Sequence, residues 1–181
     1  MKFDRLATGI TVAPMLEALG HDPAMWDEIT IRQHYPGSAH HDTNAIFLRG
    51  PYAFTAIEYM WKADAYDYPM MDKFMPTIGD LLRPLLKALG VTELGYVMIV
   101  RLKAGGEIDE HVDQGYYAEH YERFHLVLKS EPGNEFTVDG ETVHMAPGEL
   151  WWFDHRRPHS VVNKSAHERI HVIFDAVRTP E

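Results

Sequence analysis

The sequence predicts an α+β fold: a double-stranded β-helix core (jelly roll, cupin-like) with helices packed on one side. Three observations carry this. Eight short β-like runs follow one another after Gly90, punctuated by Gly, Pro and Asp. Asp139-Gly140 stands between Phe136-Thr137-Val138 and Glu141-Thr142-Val143, a hairpin signal because a type I′ turn needs two residues tolerant of positive φ. Before Gly90 the chain carries short helical patterns and loops rich in Pro, Met and Tyr.

Along the chain, Pro14 to Leu19 reads as a short helix stopped by Gly20, and His21-Asp22-Pro23 starts another. Ile29 to Gln33 and Thr43 to Arg49 read as strands, the second with Ile46 and Leu48 at period two. Thr77 to Leu89 is the clearest helix. Its Ile78, Leu81, Leu82, Leu85, Leu86 and Leu89 fall on one face and Gly90 suits its C-terminal cap. Pro84 inside it predicts a kink or two pieces. The strands then run Leu94–Leu102, Glu107–Val112, Arg123–Leu128, Glu135–Val138, Thr142–Met145, Leu150–Phe153, Ser160–Asn163 and Arg169–Val177.

At 181 residues the chain suits a single domain, 1–181. Within it, residues 1–93 form a helical and loop support on the substrate side and residues 94–178 the jelly-roll catalytic core. A composition of 45% hydrophobic and 24% charged residues argues against disorder. Lys and Arg number 17 against 27 Asp and Glu, a net charge of -10 that disfavours general nucleic-acid binding. The absence of cysteine excludes disulfides, thiolate zinc sites, Fe–S clusters and thiol nucleophiles. No apolar run approaches the ~18 residues that cross a bilayer, and Met1 to Arg5 leads into no signal-type core, so a soluble cytoplasmic protein is expected. Histidine is the outlier, with 12 copies, and any metal chemistry must rest on His, Asp and Glu.

One constellation stands out: His111-Val112-Asp113, then His159 forty-six residues after Asp113, then Arg169. Residues i and i+2 of a strand share a face, so His111 and Asp113 can offer an imidazole and a carboxylate to one ion. His159 begins another strand and can face them across a jelly roll. Two His and one carboxylate form the facial triad of non-haem Fe(II) oxygenases, which leaves coordination positions open.

From about Gly95 to Val177 the chain resembles the aspartyl/asparaginyl β-hydroxylase family of iron- and 2-oxoglutarate-dependent dioxygenases, which includes free-proline hydroxylases. The resembling stretches are Ala104 to Asp113, Arg123 to Leu128, Ala146 to Asp154, Pro158 to Asn163 and Glu168 to His171. The resemblance implies that His111, Asp113 and His159 hold Fe(II). It implies that Arg169 binds the distal carboxylate of the cosubstrate 2-oxoglutarate, a role suited to a guanidinium fork. Arg123 and His125 match the family's Arg-x-His pair, which helps hold the same cosubstrate near its metal-bound end. The main departure is the Tyr-rich stretch from Gln114 to Glu122.

The implied activity is hydroxylation of a C–H bond of a free amino acid or a peptidyl Asp/Asn-type residue. Dioxygen is consumed, and succinate and CO2 are coproducts. The substrate is a small molecule or a short peptide. Two alternatives stand beside it: a metal-binding cupin enzyme that works without 2-oxoglutarate, and a non-catalytic cupin-like binding or sensor module. Among other candidates, His40-His41-Asp42 reads as a solvated loop or a substrate contact at the pocket mouth. Arg32 and Arg49 could each bind a substrate carboxylate, a surface position being the commoner outcome. One of Trp151 and Trp152 is expected in the core and the other beside the pocket. Met70, Met71 and Met75 read as packing, Glu107, Asp109 and Glu110 as a solvated rim, and Asn163 as a turn asparagine.

Overall fold

The computed structural model describes residues 1–20, 22–52 and 64–179. The strands are β1 (Phe3–Ala7), β2 (Thr43–Gly50), β3 (Tyr66–Asp67), β4 (Val91–Leu102), β5 (Glu107–His111), β6 (Glu122–Lys129), β7 (Asn134–Val138), β8 (Glu141–Val143), β9 (Leu150–Phe153), β10 (His159–Asn163) and β11 (Arg169–Arg178). The helices are α1 (Ala13–Gly20), α2 (Ile31–His34), α3 (Pro69–Phe74), α4 (Thr77–Ala88) and α5 (Tyr116–His120), with a 3-10 turn at Pro23–Asp27. A seven-stranded sheet runs β1-β9-β6-β11-β4-β2-β3 and a four-stranded sheet runs β5-β10-β7-β8. This is the jelly roll expected, with α1, α3 and α4 on the outer face of the large sheet, whereas α2 and α5 lie on its inner side where the sequence predicts helices on one side only. Residues ahead of Gly90 also supply β1, β2 and β3 to that sheet.

Alternation along β11 shows how the layers form. Ile170, Val172, Phe174 and Ala176 point into a core shared with Met15, Leu19, Ile78 and Leu82 of the helices. Arg169, His171, Ile173 and Asp175 therefore project from the opposite face, towards the smaller sheet. Strand β6 repeats the pattern, with Phe124, Leu126 and Leu128 under the helices. Val127 joins Leu102, Phe136, Val138, Phe153 and Val161 in a second core between the sheets. Polar side chains on the inner face of β6 and β11 are thus enclosed by two apolar layers, where an unpaired polar group is costly.

The β7–β8 turn has the conformation its residues demand, Asp139 at φ 48° and Gly140 at φ 77°. Helix α4 runs unbroken through Pro84, because Pro84 and Asp80, whose carbonyl loses its amide donor, both face water. Residues Ile29 to Gln33 do not form the strand that their β-branched run predicts. Ile31–His34 is a helical turn closed by Tyr35 N–H donating to the Ile31 carbonyl (2.9 Å) and ended at Pro36. His21 lies outside the described residues.

Trp152 packs against the helix-side core and Trp151 against the inter-sheet core, where its indole N–H donates to Glu149 (2.8 Å). Trp151 therefore serves the packing between the sheets and does not line the cavities beside His111. Met70 and Met71 are core residues while Met75 is exposed. Asn163 is fully buried. It donates to the carbonyls of Lys103 and His167 and accepts from Ser165, tying the end of β10 to two loops where the sequence predicts a simple turn residue.

Candidate metal centre

His111 ends β5 and His159 begins β10, and the antiparallel register pairs them directly. Their rings lie 4.2 Å apart. Asp113 follows two residues after His111, its backbone N–H held by the His155 carbonyl (3.1 Å). One ligand atom from each of His111, Asp113 and His159 falls within 4.8 Å of the others. The carboxylate Oδ1 of Asp113 is 3.7 Å from His111 Nε2.

Each imidazole is oriented by its far nitrogen. His111 Nδ1 lies 2.8 Å from the Asp109 carbonyl, and His159 Nδ1 lies 2.9 Å from that of Arg157. Both Nδ1 atoms must donate, which in the neutral ring leaves the Nε2 lone pair for a divalent cation. Burial pushes His159 down to about 4, so it is neutral at pH 7. Burial alone would raise the Asp113 carboxyl, but Arg123 above all, with His155 and His159, holds it well below the usual carboxylate range. The donor set fits a ferrous ion: two imidazoles and one carboxylate, with no thiolate.

The remaining residues singled out from sequence converge on the same place. Arg123, His125 and Arg169 line a narrow inner cavity of about 30 Å³ together with His111 and His159. Arg123 forks onto Asp175 (Nε–Oδ1 2.8 Å, Nη2–Oδ2 3.0 Å) and also bonds Asp113 Oδ2. Arg169 is buried over the Phe136 ring and donates to His171 Nδ1 (2.9 Å). Among the described residues Arg169 has no carboxylate partner, and burial pushes it down to about 9. His125 is buried with Nε2 unpartnered, and burial keeps it neutral. The fit to a small dianion rests on Arg169, a buried cation that lacks an anion among the described residues.

Several participants escape sequence reading. His155 sets Nδ1 3.2 Å from Asp113 Oδ2 and Nε2 3.0 Å from the Tyr121 carbonyl, steadying the carboxylate. Asp175 also accepts from the Tyr117 hydroxyl (3.1 Å), which accepts in turn from the Tyr96 N–H (2.7 Å). The Tyr-rich stretch therefore forms α5 and braces the Arg123–Asp175 pair. Asp175 does carry a signal, since an acid in register with Arg169 and His171 interrupts an otherwise apolar strand. His155, on a loop, carries none. His40 lies against His111 (4.7 Å between rings), whereas His41 stays exposed near Asp42 and Asp109. Arg49 pairs with Asp67 at 2.7 Å, and Arg32 is turned inward instead of lying on the surface.

A jelly roll that gathers two His and one Asp next to buried arginines has the architecture of the 2-oxoglutarate oxygenases. A family model described as aspartyl/asparaginyl beta-hydroxylase matches residues 52–179. The chain belongs to that family. A curated relative, L-proline cis-4-hydroxylase of Rhizobium meliloti (strain 1021), is 31% identical over 113 residues, which are 61% of this chain and 39% of the relative. The chain thus spans about two-fifths of that relative's length. A 2OG-Fe(II) oxygenase-family oxidoreductase from Burkholderia pseudomallei matches with a TM-score of 0.58 and 17% identity, covering 93% of this chain and 78% of that one. A Pseudomonas putida prolyl-4-hydroxylase matches with a TM-score of 0.50 and 14% identity, covering 99% and 94%. At these identities the two structures attest the fold. Among the described residues no helix is long and apolar enough to cross a membrane.

Proposed function

We propose that this protein is an Fe(II)- and 2-oxoglutarate-dependent hydroxylase acting on a C–H bond of an amino acid or a peptidyl Asp/Asn-type residue. The observation that carries the reading is the convergence of His111, Asp113 and His159 beside a buried Arg169 that has no anion among the described residues. His111, Asp113 and His159 would hold the iron. When bound, it supplies dioxygen activation coupled to decarboxylation of 2-oxoglutarate to succinate and CO2. Arg169 neutralises the cosubstrate's distal carboxylate, and Arg123 and His125 flank its other end. Phe136, Phe153, Val161 and Ile173 keep that end of the cavity dry.

The inner cavity alone holds little more than a water molecule. A five-carbon dicarboxylate therefore has to part the side chains that separate this space from the larger cavity outside it.

Anaerobic Fe(II) with 2-oxoglutarate should give a weak visible charge-transfer band, and admitting oxygen should release succinate. His111→Ala should abolish both iron binding and succinate release. Succinate formation retained in that variant sinks the iron assignment. Full activity in Arg169→Gln without added 2-oxoglutarate would instead favour a cupin enzyme that needs no cosubstrate.

A further inference from the structure

A larger cavity of about 370 Å³ opens beside the cluster, bounded by His111, Asp113 and Arg123 on the metal side. Its other walls include Arg32, His40, Tyr96 and Met98. Arg169 lines only the inner space, whereas Arg32, His40, His111 and Arg123 line both, so Arg32 stands where the two cavities meet.

Arg32 is the unexplained group. Among the described residues, the one side-chain hydrogen bond its guanidinium makes is from Nη1 to the Met98 thioether sulfur (3.0 Å), a weak acceptor. Its Nε is sealed from solvent with no partner, and among the described residues no carboxylate lies within ion-pair distance. The two acids whose charge it feels, Asp113 and Asp175, are already engaged by Arg123. Burial pushes Arg32 down to about 10, so it remains a cation at neutral pH. Among the described residues two more wall atoms lack partners, the Tyr96 hydroxyl and His40 Nδ1. A half-buried guanidinium with its Nε sealed and no anion among the described residues lowers stability, and such strain is characteristic of sites completed by a ligand.

The geometry points to Arg32 as the anchor for a carboxylate of the substrate, with the Tyr96 hydroxyl as a second donor, so that the outer cavity takes a small carboxylic acid. This deepens the hydroxylase reading and rests on it for the chemistry that the bound acid undergoes. A carboxylate on the Arg32 fork accepts two N–H donors, and the rest of the molecule then lies between Phe47, Met98 and the metal ligands.

The test uses full-length protein held anaerobically with Fe(II) and excess 2-oxoglutarate, so that Arg169 is occupied. Free L-amino acids, L-proline and L-aspartate among them, are titrated beside analogues with every carboxylate converted to amide, and binding is read as a thermal shift. Wild type should prefer at least one free acid over its amide by tenfold or more. Arg32→Met should lose about 10- to 100-fold in affinity for that acid and none for the amide, while Arg32→Lys recovers part of it. Unliganded Arg32→Met should melt about 2–4 °C above wild type, because a buried unpaired charge has gone, whereas a purely structural arginine would leave it melting lower. Oxygen is then admitted and succinate measured. Acid binding that depends on Arg32 without succinate overturns the hydroxylase reading and leaves this one standing. Succinate formation with no acid preference, or with Arg32→Met binding like wild type, overturns this one alone. Binding of no acid in the panel overturns it as well.

Discussion

Replacing Asp175 by Asn removes the charge opposite Arg123 while keeping the shape of the side chain. Asp175 is 1% exposed, and its carboxylate takes two N–H donors from Arg123 and the hydroxyl of Tyr117. Asn offers one carbonyl in place of two charged oxygens and turns an N–H₂ towards donors. Breaking a buried pair on one side costs about 3–5 kcal/mol. Arg123 keeps Asp113, so the lower end applies, about 3 kcal/mol, or roughly a 6–12 °C fall in Tm for a chain of this size. The freed guanidinium then bears wholly on Asp113, and Fe(II) affinity should fall about 10- to 100-fold, as for other groups that orient a ligand. Urea denaturation of metal-free protein, followed by circular dichroism, gives the stability loss. In the double variant Arg123→Met/Asp175→Leu both charges of this pair are gone and His155 remains beside Asp113, so the two substitutions should couple by more than about 1 kcal/mol instead of adding. Stability of Asp175→Asn within about 1 kcal/mol of wild type, or costs that simply add in the double variant, would refute the idea that the pair holds the ligand in place.

Acid should weaken the metal-free protein in two stages. His159 sits at about 4, and His125 and His171 are held well below 6.5, all chiefly by burial. Their folded values are depressed, so the stability they contribute is present above pH 6.5 and is lost as pH falls towards the folded values. His159 alone accounts for on the order of 3 kcal/mol by pH 4. Asp113, also depressed, contributes above its unfolded value near 4 and is lost only below it, so a urea midpoint that stays flat from about pH 7.5 to 5 contradicts the buried neutral histidines. Asn163→Ala should cost about 2–3 kcal/mol, measured by the same midpoint, because it strands buried donors and acceptors in two loops. Gly148→Ala should cost about 2 kcal/mol or more, since its φ is +78° and a Cβ would sit 2.8 Å from the Ile10 carbonyl. Gly105→Ala, at φ +69° with nothing nearby, should cost only about 1 kcal/mol, and equal losses at the two glycines would remove the steric part of the explanation.

Local periodicity is what makes part of this molecule legible in its sequence. Arg169–Val177 reads as a strand because its apolar residues alternate, and that alternation already places Arg169, His171 and Asp175 on one face. His111 and Asp113 read as a pair for the same reason. Ile29 to Gln33 departs from its predicted strand because three β-branched residues in a row favour extension, yet no neighbouring strand is available there and Pro36 ends the segment. The same departure conceals Arg32, since a helical turn carries its side chain into the cavity wall where a surface strand would have displayed it. The partners of the ligands are harder still. Asp175 meets Arg123 through the β6–β11 register, and His155 reaches Asp113 from a loop 42 residues away. Such contacts depend on long-range register, which no window of the chain contains. The candidate ligands sit in short motifs that a family resemblance can match, whereas the groups that set their charge and orientation are scattered over β6, β11, α5 and the loop after β9. Substitutions at Asp175, His155 and Arg32 therefore test the groups around the candidate ligands, of which His155 has no local signature at all.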